Sequence, residues 1–229
     1  MDRGQTPVHS PFWGSSGSFT PQLPGDTVAS MSEAVNERRA MRLVMRTRRA
    51  ELDRDDQAAA SMAVMARLAR IPLLRRATSI SGYRAVRGEL DIDAALILLA
   101  ERGAVVTVPR VTGEHLEFVP WSKDQATSEG SFGIAEPTVG ESLALRAHDV
   151  ILAPLVAFDA SGNRLGQGGG FYDRALASCG ENRPVVVGIA HSFQQVDAVP
   201  VESWDQPLDA VVTEDEVLEF RAGILDPSI

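Results

Sequence analysis

One cysteine, one lysine and four histidines are all that this chain of 229 residues holds of three residue types prone to chemistry. Cys179 stands alone, so no intrachain disulfide can form and the expected compartment is a reducing cytoplasm. With no histidine near it in sequence, it reads as a small buried hydrophobe rather than a nucleophile. Lys123 lies far from any glycine cluster, which excludes a Gly-Lys-Ser/Thr phosphate loop. His9, His115, His148 and His191 are scattered without metal-ligand spacing and receive no chemistry. Basic charge is short as well: the formal net charge is −9, and a nucleic-acid partner normally needs a basic face. Residues 1–30 contain no apolar run that would serve as a signal peptide or a membrane span, so no membrane partner is expected. Gly14-Ser-Ser-Gly-Ser18 lacks the last glycine of a nucleophile elbow, which speaks against a hydrolase.

What is present suits one sizeable core, since 44% of the residues are hydrophobic. Residues 1–30, with Pro7, Pro11, Pro21 and Pro24 amid Gly and Ser, are expected to be a disordered extension, and residues 31–229 a single catalytic domain. Met31 directly precedes the first helical pattern and is a candidate start. Helices are expected over Ser32–Arg54, Asp55–Arg70, Asp91–Arg102 and Phe171–Ser178. Strands are expected at Thr78–Tyr83, Ala104–Val108, Asp149–Phe158, Pro184–Ala190 and Ala210–Thr213. Short edge strands are expected at His115–Val119 and Ser131–Ile134, with Trp121 as cover. That βαβ rhythm predicts a three-layer α/β domain, an open and mainly parallel sheet with helices on both faces.

The least scaffold-like stretch is Asn163-Arg-Leu-Gly-Gln-Gly-Gly-Gly-Phe-Tyr-Asp-Arg174. Gly166, Gly168, Gly169 and Gly170 strip side chains from a loop, so that successive backbone N–H groups can converge on an anion. Arg164 and Arg174 offer guanidinium donors to phosphate oxygens, and Asp173 a hard oxygen ligand for a nucleotide-bound Mg2+. The apolar run before it places the loop after a buried strand, where open α/β sheets bind ligands. A plain glycine-rich surface turn is the competing reading. Seven arginines between Arg38 and Arg54 form a local basic patch on a chain that is otherwise acidic.

Taken together, Pro154-Leu-Val-Ala-Phe-Asp159 and Gly162–Arg174 closely resemble the signature of the 5-formyltetrahydrofolate cyclo-ligase family, also called methenyltetrahydrofolate synthetases. Arg38-Arg-Ala-Met-Arg42, Tyr83–Asp91, Gly133-Ile-Ala-Glu-Pro137, Gln194, Pro200-Val-Glu202, Trp204-Asp205, Pro207-Leu-Asp209 and Val212-Thr213-Glu214 resemble further family segments in the same order. The resemblance covers about residues 35 to 216 and implies the open sheet shared with sugar-phosphate isomerases and CoA transferases. It implies ATP- and Mg2+-dependent cyclisation of 5-formyltetrahydrofolate to 5,10-methenyltetrahydrofolate through a phosphorylated formyl group, by a monomer. Carried over by position, Arg38 and Arg42 would contact ATP phosphates, and Arg164, Leu165, Gly166, Gln167, Gly168, Gly169, Gly170, Phe171 and Tyr172 would form the nucleotide loop. Arg164 and Asp173 would be catalytic, and Asp173 and Asp205 would hold Mg2+. Arg84 and Glu89 would meet the folate together with Gln167 to Phe171, the Phe171 ring lying against the pteridine. This chain departs from the family in Arg38 for Lys, Phe171 for Tyr, and Gln167 for Tyr or Arg. Two other readings stay open: a folate- or nucleotide-binding regulatory module without turnover, and a sugar-phosphate isomerase of similar fold.

Overall fold

The computed structural model describes residue 1, residues 24–130 and residues 133–226. Among these, a seven-stranded sheet runs in the order β11-β10-β9-β6-β1-β2-β3. Its middle is parallel: β10 (Ala210–Val212), β9 (Val185–Ile189), β6 (Val150–Pro154), β1 (Ser79–Ser81) and β2 (Val105–Thr112). Each edge is antiparallel, with β3 (His115–Pro120) beside β2 and β11 (Val217–Glu219) beside β10. β6, β9 and β10 are apolar throughout because both of their faces are covered, whereas β1 carries Ser79 and Ser81 beside the buried Ile80.

Alternate residues of β6 divide between two cores. Val150 and Leu152 join Val64 and Leu68 of α2 (Arg54–Leu68), Leu74 of α3 (Pro72–Arg76) and Leu96 and Leu99 of α4 (Asp93–Glu101). Ile151 and Ala153 face the other way, against Phe118, Val186, Val211 and Leu176 of α5 (Phe171–Ala177). Each such Leu, Ile or Val side chain contributes roughly 1.5–3 kcal/mol by leaving water. The architecture is therefore a three-layer α/β fold with an open, mainly parallel sheet. A third cluster lies outside these layers, where Met45 of α1 (Pro24–Ala50) packs on Val156, Ala157, Leu165 and Val199.

Local chemistry sets the helix ends. Asp53 caps α2 by accepting from Asp55 N at 2.8 Å, while α4 has Ile92 at its cap position and Asp91, one residue earlier, accepts from Asp93 N at 2.8 Å. α4 ends at Glu101, and Gly103, just past the cap residue Arg102, turns the chain away with a φ of +92°. Several boundaries differ from expectation. α1 begins at Pro24 rather than Ser32, because proline is well suited to the first helical turn. The rest of the expected disordered extension, residues 2–23, lies outside the described residues, as do Ser131 and Phe132 of the expected edge strand. Ile134 of that strand lies in the turn between β4 (Thr127–Glu129) and β5 (Ala135–Pro137), which pair with each other. Trp121 packs into the first core as cover.

The expected single strand Asp149–Phe158 is broken. β6 stops at Pro154, and Ala157–Phe158 (β7) turns back to pair antiparallel with Arg164–Leu165 (β8). Proline cannot donate to a ladder, which suits it to the end of a central strand. The glycine loop therefore follows a hairpin, not a sheet strand.

Candidate active site

The hairpin delivers the chain into the loop in a fixed direction. Asp159, 3% exposed, accepts from Ser161 N and Asn163 N on Oδ1 and from Asn163 Nδ2 and Val199 N on Oδ2, at 2.9–3.1 Å. Four donors on one buried carboxylate lock the hairpin tip, and they hold its pKa below the ordinary value despite the burial that opposes them. Beyond Leu165 the backbone enters Gly166–Gly170, with φ of +109° at Gly168 and +64° at Gly170. These are conformations that residues with a Cβ rarely adopt.

α1 lies along the outside of this loop. Arg38, Arg42, Arg46 and Arg49 recur every three or four residues, which sets them on one helical ridge. Arg42 Nε donates to Gly166 O at 2.9 Å, and Arg46 Nη2 donates to Gln167 O at 2.8 Å. Arg38 makes a two-pronged ion pair with Asp205, at 2.7 and 3.2 Å. Burial, then the neighbouring charges of Arg38 and Arg46, push the Arg42 pKa down. Crowded guanidinium groups of this kind attract an anion that relieves their repulsion.

On its other side the loop walls a cavity of about 340 Å3, within the size range of small-molecule sites, roughly 300–1,000 Å3. Gly166, Gln167, Gly169, Gly170, Phe171 and Tyr172 line it from the loop, with Arg164 and Asp173 alongside. Arg84 and Glu89 line the opposite wall. Glu89 is 5% exposed and accepts from Gln167 Nε2 at 2.9 Å, Val86 N at 3.2 Å and Arg49 Nη1 at 3.5 Å. Burial raises the Glu89 pKa, and Arg49 opposes the rise. Gly88 makes this approach feasible: a Cβ there would sit 2.8 Å from Arg49 O. Arg84 is held at the rim by an ion pair with Asp93 and by the ring of Trp121, 5.3 Å from its guanidinium carbon. Arg164 Nε and the Tyr172 hydroxyl are buried there without a partner among the described residues, and burial raises the Tyr172 pKa. Polar atoms left in that state call for a further partner, such as water or a ligand.

Of the expected site residues, Leu165 is fully buried under α1 and Gly168 faces Arg42, so neither lines the cavity. Arg38, Arg42 and Asp205 also lie outside its lining. Arg174 was expected to reach phosphate, but it donates to Glu114 O at 2.9 Å and stacks on Phe171 at 5.1 Å. Several cavity residues went unassigned in the sequence, among them the polar Arg46, Tyr83 and Glu136. Glu136 stands in the quoted Gly133–Pro137 segment, which was the available signal for it.

Asp173 accepts from Arg164 Nη2 at 2.7 Å and from Gln206 N at 3.0 Å, both on Oδ1. Gln206 follows Asp205, whose own carboxylate is taken up by Arg38 and by Glu202 N. No group of three or more His, Cys, Asp or Glu side chains stands ready for a metal among the described residues. Mg2+ usually takes one or two carboxylates and completes its shell with water and substrate phosphates, so it needs no larger cluster than Asp173 or Asp205 alone provides.

The family model for 5-formyltetrahydrofolate cyclo-ligases matches residues 34–214, which spans the ridge, the cavity and the carboxylate pair. The chain belongs to the 5-formyltetrahydrofolate cyclo-ligase family. The chain is 36% identical to the 5-formyltetrahydrofolate cyclo-ligase of Haemophilus influenzae over 177 residues, covering 75% of this chain and 95% of that one. With the Escherichia coli K12 cyclo-ligase it shares 35% over 182 residues, covering 77% and 100%. The solved structure of Aquifex aeolicus 5,10-methenyltetrahydrofolate synthetase superposes with a TM-score of 0.71 at 31% identity, over 81% of this chain and 94% of that one. In this cyclo-ligase family member, the glycine loop thus lies between an arginine ridge and the cavity, and Arg46 of the ridge reaches the cavity as well.

Proposed function

We propose that this chain converts 5-formyltetrahydrofolate into 5,10-methenyltetrahydrofolate, consuming ATP with Mg2+ and releasing ADP and phosphate. The observation that carries the proposal is the cavity shared between the glycine loop and the buried Glu89 carboxylate, with the arginine ridge on the loop's far side. The names of the relatives supply the substrate class. An amide-like formyl oxygen leaves poorly. Transfer of the terminal phosphoryl group to it breaks the bond to ADP and makes that oxygen part of a phosphate. N10 then attacks the formyl carbon, its proton goes to solvent, and the carbon–oxygen bond breaks as phosphate departs.

Such a transfer depends on positioning and charge neutralisation, so no nucleophilic side chain is required. Arg38 and Arg42 hold nucleotide phosphates, and the backbone N–H groups of Gly166 to Gly170 orient them. Asp173 keeps Arg164 at the cavity edge, 3% exposed in its side chain. Glu89 accepts an N–H from the folate, and Phe171 meets the pteridine with its ring, worth roughly 0.5–1.5 kcal/mol beyond area burial. Asp173 and Asp205 would hold Mg2+, whose charge would offset that building on the phosphates. The same reading places the enzyme in the cytoplasm as a monomer. Among the described residues no helix is long and apolar enough to cross a membrane.

The test is purified protein mixed with 5-formyltetrahydrofolate, ATP and Mg2+. The methenyl chromophore is expected only when all three are present, with phosphate released in step. Absence of the chromophore removes the proposal: binding of both ligands without turnover supports a regulatory module, and activity without ATP an isomerase.

A further inference from the structure

Gln167 ties the two walls of the site together. Its Nε2 donates to Glu89 Oε1 at 2.9 Å, while its Oε1 accepts from Arg46 Nε at 3.1 Å and Nη2 at 2.8 Å. Arg46 Nη2 also holds the Gln167 carbonyl at 2.8 Å. A primary amide can serve both partners at once because its donor and acceptor are separate atoms. The result is a continuous chain from the arginine ridge, through the loop, to the cavity carboxylate. Behind it stands Arg49, 2% exposed, with Nη1 on Glu89 and Nε and Nη2 without a partner among the described residues.

Both ends of this bridge are wanted by ligands, on the functional reading above, which this inference rests on. A folate N–H donor competes with Gln167 for Glu89 Oε1. Nucleotide phosphate competes with Gln167 for Arg46, which lies one helical turn beyond Arg42. We propose that Gln167, gripped by Arg46, is a latch that couples the occupancy of the two sites. Whichever ligand binds first breaks its own end of the bridge and frees the amide to turn, so the second ligand displaces a bond that has lost its polarising partner and is weaker. The coupling is positive, and by linkage each ligand raises the affinity of the other by the same factor. A single charge-assisted hydrogen bond at a partly exposed position corresponds to about a fivefold effect. Leucine cannot form the bridge, and asparagine is one methylene too short to span it.

Calorimetric titration of the full chain with 5-formyltetrahydrofolate, with and without a nonhydrolysable ATP analogue plus Mg2+, tests the latch. Wild type should bind the folate about fivefold more tightly when the nucleotide is present. In Gln167→Leu, Gln167→Asn and Arg46→Met that ratio should fall to about one. A purely structural role would weaken both ligands and leave the ratio intact. A variant ratio equal to the wild-type ratio, or a wild-type ratio of one, overturns the latch while the functional reading stands. If wild type binds neither ligand, the functional reading itself fails and the latch falls with it.

Discussion

Replacing Gly168 with alanine isolates the backbone geometry of the loop from everything around it. The added Cβ meets only the Arg42 guanidinium, at 3.6 Å, which is ordinary contact. The penalty is therefore conformational: φ is +109°, and a residue with a Cβ held in so sparse a region costs roughly 1–3 kcal/mol. Because Gly168 is exposed, a local shift of the loop relieves the strain more cheaply than unfolding does. That shift pulls Gly166 O off Arg42 and Gln167 O off Arg46. At about 2 kcal/mol, nucleotide affinity drops about 30-fold. Calorimetry with a nonhydrolysable nucleotide reads the loss, and a thermal melt should move by less than about 2 °C. A variant that binds nucleotide as tightly as wild type would refute the view that this bend grips phosphate.

Asp173→Asn should lower turnover about 100-fold while keeping an acceptor for Arg164, so its melting temperature stays near wild type; unchanged turnover would leave the aspartate a purely local role. Asp173→Ala is the poorer test, since a buried arginine left alone costs about 3 kcal/mol of stability. Arg42→Ala should raise the ATP concentration needed for half-maximal rate about tenfold, and an unmoved requirement would detach α1 from the nucleotide. Gly188→Ala places a Cβ 2.8–2.9 Å from Leu155, Leu208 and Val211. Such overpacking costs about 2 kcal/mol and should lower the melting temperature by about 4–8 °C; an unchanged melt would contradict it. Burial holds His148 and His191 below the ordinary histidine pKa, so below about pH 6.5 the unfolded chain binds more protons than the folded one. Stability is then complete above that value and lost as pH falls through it toward the lower folded values. Glu89, raised by burial, works in the opposite sense, its contribution falling as pH rises from the ordinary carboxylate range through the raised one. Urea unfolding across this range should show the histidine-linked loss between about pH 7 and 5, and a flat profile would contradict it.

The parallel sheet was legible because a strand buried on both faces needs an apolar run, and β9, β10 and the first half of β2 lie within such runs, while β1 was read from its alternation around Ile80. Helix α4 declared itself through its apolar spacing and the Gly103 stop. What stayed hidden depended on contacts between distant residues. Pro72 reads as the end of one helix, yet it opens α3 as its first residue. The run from Asp149 to Phe158 reads as one strand because nothing local signals that β7 pairs with β8 instead of the sheet. Arg174 has the composition of a phosphate ligand, and only the fold brings the Glu114 carbonyl to it. The bridge from Arg46 through Gln167 to Glu89 joins residues 121 and 78 positions apart, which no spacing rule detects. The glycine loop was readable for the opposite reason: its requirements are local, side chains absent and φ positive.

The central claim is that phosphoryl transfer turns the formyl oxygen into a leaving group. Supplying 5-formyltetrahydrofolate with heavy oxygen in the formyl group, together with ATP and Mg2+, and analysing the released phosphate by mass spectrometry tests it most directly. The label should appear in inorganic phosphate in step with methenyl product. Phosphate free of label, with the heavy oxygen recovered in water, would contradict the account.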